Sequence, residues 1–222
     1  MPKFVTDAHR LIGPVPFDDL PEDPRPDMDR LGIQRAYVTH TLSLYSDAHA
    51  GNEALLALGD PRLIPVPVLV PDSARPVPSR TAPMVRLCPA RHRFELTGPT
   101  TLRWLGRLRT TVAIDYEETS PGQLSALARQ VPEQKILLLN PGYRWLRTIG
   151  ELMAEIPNLW LEIGTVNTQR GVEWLAGRFG ADRLVFGTGA PVLDDCGPRF
   201  LLDHLDLPEE DVELIATGGS LL

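Results

Sequence analysis

The chain is poor in cysteine and has no long apolar run. Its 222 residues include only two cysteines, Cys88 and Cys196, and neither belongs to a CxxC pair. This excludes a disulfide framework and a zinc knuckle, and we expect both thiols to be reduced. No stretch approaches the roughly 18 apolar residues of a membrane span, and the start of the chain lacks a signal-peptide core. These absences predict a cytoplasmic protein with no membrane partner.

Lysine is almost absent, and the charge is acidic. Lys3 and Lys135 are the only lysines, and the net charge is -7 with acidic and basic residues interspersed. No basic run marks a nucleic-acid surface, so we expect no nucleic-acid partner. The motifs GxGxxG, GxxxxGK[ST], HExxH and GxSxG are absent as well, which disfavours nucleotide-binding and serine-hydrolase functions.

Eight short apolar runs are spaced along the whole chain. Their residues are nearly continuously apolar, a pattern typical of parallel strands that are covered on both faces. The runs are Phe4 to His9, Arg35 to His40, Leu63 to Val70, Met84 to Pro89, Thr111 to Tyr116, Lys135 to Asn140, Leu159 to Gly164 and Arg183 to Gly189. They predict one α/β domain over residues 1–222, a compact (β/α)₈ TIM barrel whose active site lies where the strands end.

Helical spacing of apolar residues connects most of these runs. Helices are predicted at Ala48 to Leu58, Thr100 to Leu108, Ser120 to Gln130, Tyr143 to Ile156, Thr168 to Phe179 and Glu209 to Ala216. Two segments are instead crowded with proline, which interrupts helices. Arg10 to Asp29 predicts an extended flap over the barrel mouth. Pro71 to Pro83 predicts a loop in place of the third helix, where thin cover could mark a contact in a homo-oligomer.

The first strand ends in a carboxylate and an imidazole. The two-residue period of a strand puts Asp7 and His9 on the same side. Such a pair can hold a divalent metal, or Asp7 can orient His9 as a general base. Alternatively, Asp7 accepts hydrogen bonds from nearby N–H groups and His9 is a buried histidine without chemistry. His40 ends strand two and is a further candidate, whereas His49 and His92 lie in loops and are weaker ones.

Two charged residues, Arg86 and Glu162, lie within apolar strands and are costly to bury unpaired. One interpretation is an ion-pair network that closes the barrel without chemistry. The other is that Arg86 binds a substrate carboxylate while Asp115 or Glu162 acts as an acid or base. Further candidates for substrate binding near strand ends are Asn140, Tyr143, Arg144 and Thr188, the first three in a tight loop whose N–H groups could bind an anion.

Several motifs share a family resemblance. They are Asp7-Ala8-His9-Arg10-Leu11, Asp60-Pro61-Arg62-Leu63-Ile64-Pro65-Val66, the segment from Phe179 to Pro191 that contains Phe186-Gly187-Thr188-Gly189, and the tail from Leu214 to Leu222. Together they resemble the amidohydrolase-related group of the metal-dependent hydrolase superfamily. The resemblance covers almost the whole chain, and it implies a distorted (β/α)₈ barrel with hydrolase or nonoxidative decarboxylase activity.

The metal ligands that this resemblance implies are incomplete. His9 matches one histidine of the opening pair, but Leu11 occupies the position of the second and Gly189 that of the aspartate after strand eight. Neither side chain can bind a cation. Asp115 or the nearby Glu117 lies where the strand-five ligand is expected, and Asn140 near the strand-six histidine. A remnant of His9, Asp7 and Asp115, with Glu162 as a further candidate, could still hold one divalent Zn, Mn or Fe weakly.

These observations lead to two alternative functions. The first is a divergent amidohydrolase-like hydrolase of C–N or C–O bonds, or a decarboxylase, which acts on a small anionic molecule, a carboxylate, at the rim. His9, Asp7 and Asp115 are then the catalytic residues and Arg86 the anchor. The second is a non-catalytic binding or scaffold barrel that has lost the metal site of the family.

Overall fold

The computed structural model describes residues 2–74 and 82–222. Within them lie nine strands and nine α-helices. The strands are β1 (Thr6–Ile12), β2 (Arg35–His40), β3 (Leu63–Pro65), β4 (Val68–Leu69), β5 (Met84–Leu87), β6 (Thr111–Asp115), β7 (Ile136–Leu139), β8 (Leu159–Glu162) and β9 (Leu184–Val185). The helices are α1 (Arg25–Leu31), α2 (Thr41–Tyr45), α3 (Ala48–Leu56), α4 (Pro99–Leu108), α5 (Pro121–Gln130), α6 (Leu146–Glu155), α7 (Gly171–Phe179), α8 (Cys196–Asp203) and α9 (Glu209–Thr217).

All strand pairs are parallel, and their order follows the chain. One sheet contains β1-β2-β3 and the other β4 to β9. β3 and β4 are two parts of the predicted run Leu63 to Val70, which Pro67 interrupts because proline has no N–H to donate. The chain stays bonded to its neighbours there, since Val66 N donates to Val38 O (2.8 Å) and Arg86 N to Pro67 O (2.9 Å). The eight predicted runs therefore correspond to the observed strands.

Hydrogen bonds also connect the last strand region to the first. Ala8 N donates to Phe186 O (2.9 Å), Gly189 N to His9 O (2.7 Å) and Leu11 N to Ala190 O (2.8 Å). These bonds bring the end of the eighth run beside β1, so that the ends of all the strands surround one opening. The predicted (β/α)₈ architecture is confirmed.

The proline-rich segments differ from the prediction in part. β1 continues to Ile12, three residues beyond the predicted end, and α1 forms inside the segment that was expected to be extended. Pro26 lies in the first turn of α1, where its missing N–H costs nothing. Residues 71–74 form no helix. Most of the predicted loop in place of the third helix, residues 75–81, lies outside the described residues.

Strand β7 shows how the core is organised. Ile136 and Leu138 pack in the large cluster between strands and helices, whereas Leu137 and Leu139 belong to a second, inner cluster. Both sides are buried, which explains the near-continuous apolar runs. No described helix has the length and apolar character to span a bilayer.

The same alternation places charged residues at the inner face. Met84, Ala113 and Trp160 belong to the inner cluster on β5, β6 and β8. Two residues later on the same strands are Arg86, Asp115 and Glu162. Their side chains therefore lie above the apolar interior, at the carboxyl ends of the strands.

Candidate active site at the carboxyl ends of the strands

A cavity of about 300 Å³ opens among the loops that follow the strands. This size suits a small organic molecule. One side of the wall is mainly apolar and consists of Leu11, Leu44, Tyr45, Cys88, Val192 and Leu193. The polar side consists of His9, Arg86, Arg91, Asp115, Glu117, Glu118, Asn140 and Thr165.

Arg86 connects a histidine and a carboxylate at this cavity. Its Nη1 lies 3.2 Å from His9 Nε2, and its Nη2 donates to Asp115 Oδ2 at 3.3 Å. A guanidinium can only donate, so His9 Nε2 accepts and the proton of the neutral imidazole is on Nδ1. Burial, together with the positive charge of Arg86, lowers the pKa of His9 to about 3. The imidazole is therefore neutral at pH 7.

Glu162 lies on the other side of the same imidazole. Its Oε2 is 3.6 Å from His9 Nδ1, and its side chain is fully buried. The carboxylate accepts from the backbone N–H groups of Asn140 and Gly164, both at 2.8 Å. Burial raises the pKa of Glu162 to about 7 even though these two bonds oppose the shift. At neutral pH this carboxyl group is therefore partly protonated.

Asp7 is held away from the cavity. Its carboxylate accepts from Thr188 N (3.1 Å), Thr188 Oγ1 (2.7 Å) and His9 N (3.0 Å), and Arg10 Nη1 lies 3.5 Å away. The pairing of β1 with β2 shifts between Asp7 and Arg10, so the two-residue period does not hold there. Asp7 thus joins β1 to the segment after β9, and Glu162 is the carboxylate that lies next to the His9 ring.

Asn140 completes the polar side of the cavity. Its backbone is left-handed, with φ 48°, which turns the chain after β7 so that its N–H points to Glu162. Its Nδ2 donates to Asp115 Oδ2 at 2.8 Å, whereas its Oδ1 has no hydrogen-bond partner. This oxygen is a buried acceptor without a partner beside the cavity.

The remaining predicted residues lie outside the cavity wall. His40 Nδ1 accepts from Leu42 N at 3.1 Å and caps α2. Tyr143 is exposed, with the Arg144 guanidinium 5.8 Å from its ring. Thr188 is buried against Asp7, as described above. Asn140 N donates to Glu162 and Gly142 N to Thr165 Oγ1 (2.9 Å), so these two N–H groups of the predicted anion loop are already used.

The sequence analysis missed a second arginine at the cavity. Arg91 Nε donates to Glu118 Oε1 at 3.1 Å, and its guanidinium carbon lies 4.9 Å from the centre of the Tyr45 ring. Arg91 lies in the loop after β5, and in a chain where arginine is so common no local pattern distinguishes it. Only its position after a strand end could have pointed to it.

A family model described as amidohydrolase matches residues 12–218. The chain belongs to the amidohydrolase family. A comparison of the sequence with curated proteins finds no match.

Solved structures show the same fold. Amidohydrolase 2 from Bifidobacterium longum subsp. infantis is 15% identical, with a TM-score of 0.69 over 97% of this chain and 96% of that one. 5-carboxyvanillate decarboxylase from Sphingomonas paucimobilis is 11% identical, with a TM-score of 0.72 over 98% and 97%. 4-oxalomesaconate hydratase from Rhodopseudomonas palustris is 14% identical, with a TM-score of 0.66 over 98% and 94%.

The donor atoms at the rim do not fit the metal that the resemblance implies. His9 Nε2 and Asp115 Oδ2 both face Arg86, and the Asp7 oxygens bind Thr188, Arg10 and backbone N–H. In the part of the chain that the structure describes, only Asp194, Asp195 and Cys196 bring three ligand atoms together, and Asp195 already pairs with Arg10. A catalytic zinc requires three protein ligands with an open position, and the rim does not present them.

Proposed function

We propose that this amidohydrolase binds a small organic carboxylate in the rim cavity and converts it, by decarboxylation or by hydrolysis of a C–N or C–O bond, with His9 as the base. One observation carries the proposal. A neutral imidazole is held between Arg86 and Glu162 at the wall of a cavity of about 300 Å³.

The cavity offers two cationic groups to a carboxylate. A guanidinium has five N–H donors, and Arg86 uses one on His9 and one on Asp115. Arg91 bonds Glu118 through Nε, which leaves its terminal nitrogens for a ligand. The apolar wall of Leu11, Leu44 and Val192 would hold the body of the molecule.

Binding of a carboxylate would also change the basicity of His9. After burial, the charge of Arg86 is the largest cause of the lowered His9 pKa. A carboxylate paired with Arg86 offsets that charge, so the His9 pKa rises when substrate is bound. Glu162, next to Nδ1, then stabilises the imidazolium. The base is thereby activated by the ligand that it acts on.

The proton pathway follows from the tautomer. His9 Nε2 accepts from Arg86 in the free protein, so its lone pair becomes available only when Arg86 pairs with the substrate carboxylate. It then takes a proton from an attacking water in hydrolysis and returns it to the leaving group. In decarboxylation, His9 first takes a proton from solvent once the substrate carboxylate offsets the charge of Arg86. The imidazolium then delivers this proton to the carbon as the bond to the carboxylate breaks and carbon dioxide leaves. Two proteins with the same fold are a 5-carboxyvanillate decarboxylase and a 4-oxalomesaconate hydratase, and both are named after carboxylates. These names support a carboxylate as the substrate class.

The alternative function is a binding barrel without turnover. Leu11 and Gly189 favour it, because they stand where the resemblance implies a histidine and an aspartate. Under this alternative the same carboxylates bind, and His9 has no kinetic role.

A panel of small mono- and dicarboxylates, screened by thermal shift and then by product analysis, tests both functions. We expect a carboxylate that binds and is converted, with His9→Ala lowering kcat by about 10²- to 10⁴-fold. Arg91→Ala should mainly weaken binding. His49→Ala, which changes an exposed histidine, is the matched control. Binding without conversion would favour the binding barrel, and unchanged kcat in His9→Ala would exclude His9 as the base.

A further inference from the structure

We infer that the guanidinium of Arg86 takes the place of a divalent cation at the rim and keeps metal out. The inference concerns metal binding alone, so it does not depend on whether the protein turns over a substrate.

The first argument is the direction of the donor atoms. His9 and Asp115 supply an imidazole nitrogen, Nε2, and a carboxylate oxygen, Oδ2, at the cavity wall. Both are bonded to the same guanidinium, through Nη1 at 3.2 Å and Nη2 at 3.3 Å. Arg86 is only 6% exposed, so its charge is buried directly beside these two donors.

The second argument is chemical. A lysine or histidine could lose its proton to make way for a metal, but a guanidinium stays charged at any pH that a protein tolerates. A divalent cation would therefore have to enter beside a fixed positive charge. It would also compete for the lone pairs that His9 and Asp115 already direct to Arg86.

The third argument concerns the two positions at which the resemblance implies a histidine and an aspartate. Leu11 packs with Leu44, Val68 and Cys88 in an apolar cluster beside the cavity. At Gly189, a Cβ would lie 2.8 Å from Leu193 Cδ1 and 3.4 Å from Asn140 Oδ1. The two positions that lack ligands are thus occupied by apolar neighbours.

Removal of Arg86 should consequently create affinity for metal. Without the guanidinium, Asp115 is an uncompensated carboxylate beside His9 Nε2, and Asn140 Oδ1 is an unpartnered oxygen nearby. These are ligand types that zinc and manganese accept.

Calorimetric titration of chelator-treated full-length protein with Zn²⁺, and separately with Mn²⁺, tests the inference. Each variant carries Cys196→Ser, which removes the thiol of the Asp194, Asp195 and Cys196 group. We expect no stoichiometric binding with Arg86 present and at least tenfold tighter binding in Arg86→Ala. Adding His9→Ala should abolish that gain. Arg86→Leu, which refills the space of the side chain, serves as a second variant if Arg86→Ala does not fold.

Arg91→Ala is the matched control, because it removes the other guanidinium of the cavity without touching His9 or Asp115. It should leave metal affinity unchanged. Stoichiometric binding that depends on His9 while Arg86 is present would overturn the inference. A folded Arg86 variant that binds metal no more tightly than the parent would overturn it as well.

Discussion

Oε2 of Glu162 lies 3.6 Å from Nδ1 of His9, and both side chains are shielded from solvent. Burial shifts the pKa values of the two groups in opposite directions. It disfavours the charged form of each, which is the deprotonated form of Glu162 and the protonated form of His9. Burial raises the pKa of Glu162 from its ordinary 4.5 to about 7, and with the charge of Arg86 it lowers the pKa of His9 from 6.5 to about 3. The pair is consequently neutral over a range in which both groups of the unfolded chain carry charge.

This relationship predicts opposing effects of pH on stability. Folded Glu162 keeps a proton that the unfolded chain releases, so its contribution is complete below pH 4.5 and is lost as pH rises to about 7. The effect of His9 is opposite, because His9 in the unfolded chain binds a proton at a higher pH than it does in the folded protein. Its contribution is complete above pH 6.5 and is lost as pH falls toward 3. Between pH 4.5 and 6.5 the two contributions offset each other.

Glu162→Gln should remove one side of this balance. The free energy of unfolding should then rise more steeply with pH than it does in the parent. The difference between the two proteins should change by about 3 kcal/mol between pH 4.5 and 7, since each pKa unit corresponds to about 1.4 kcal/mol. Urea unfolding at steps across this range measures the change. Glu155→Gln, at an exposed glutamate that pairs with Arg129, is the control. An identical pH slope in Glu162→Gln and the parent would contradict the assignment.

Gly164 supports the same carboxylate and should not tolerate a side chain. A Cβ at this position would overlap the carbonyl oxygen of Gly187 and lie 2.5 Å from Glu162 Oε1. Both neighbours are held in place, so Gly164→Ala should reduce the free energy of unfolding by about 3 kcal/mol, as urea unfolding measures.

At the exposed Gly177 in α7, by contrast, an added Cβ would meet no atom within 4 Å. Gly177→Ala should therefore stabilise the protein by about 0.5–1 kcal/mol, because alanine favours a helix. Similar effects in the two variants would show that the neighbours of Gly164 can move.

Restoring the aspartate after the eighth strand should not by itself restore a metal site. Gly189 has φ 72°, a left-handed conformation that side chains adopt at a cost, and Leu193 fills the adjacent space. Gly189→Asp should lower the free energy of unfolding by about 1–3 kcal/mol. It should bind no stoichiometric zinc while Arg86 is present, as measured by titration calorimetry. Tight zinc binding by this single variant would mean that Gly189, and not Arg86, decides whether metal enters.

Much of the site could be placed from the strands alone. Arg86, Asp115 and Glu162 each follow an inner apolar residue by two positions, so a barrel with this strand order brings them to one rim. Which of these side chains bond to one another was harder to predict from the sequence. Sequence reasoning paired Arg86 with Glu162, whereas Arg86 bonds Asp115 on the neighbouring strand and His9. β8 is three strands away from β5, and register between adjacent strands favours Asp115.

By itself, the amino-acid sequence determined the barrel. A strand that is buried on both faces has apolar residues at consecutive positions, and this pattern can be recognised without knowing which strand lies next to it. The tertiary structure alone decided which side chains meet. The Arg86 and His9 contact joins residues 77 positions apart, and the Asn140 and Glu162 contact joins residues 22 apart. The irregular pairing of β1 separates Asp7 from the cavity and leaves His9 in it. Such contacts depend on strand register and backbone hydrogen bonds across the ring, which local periodicity does not encode.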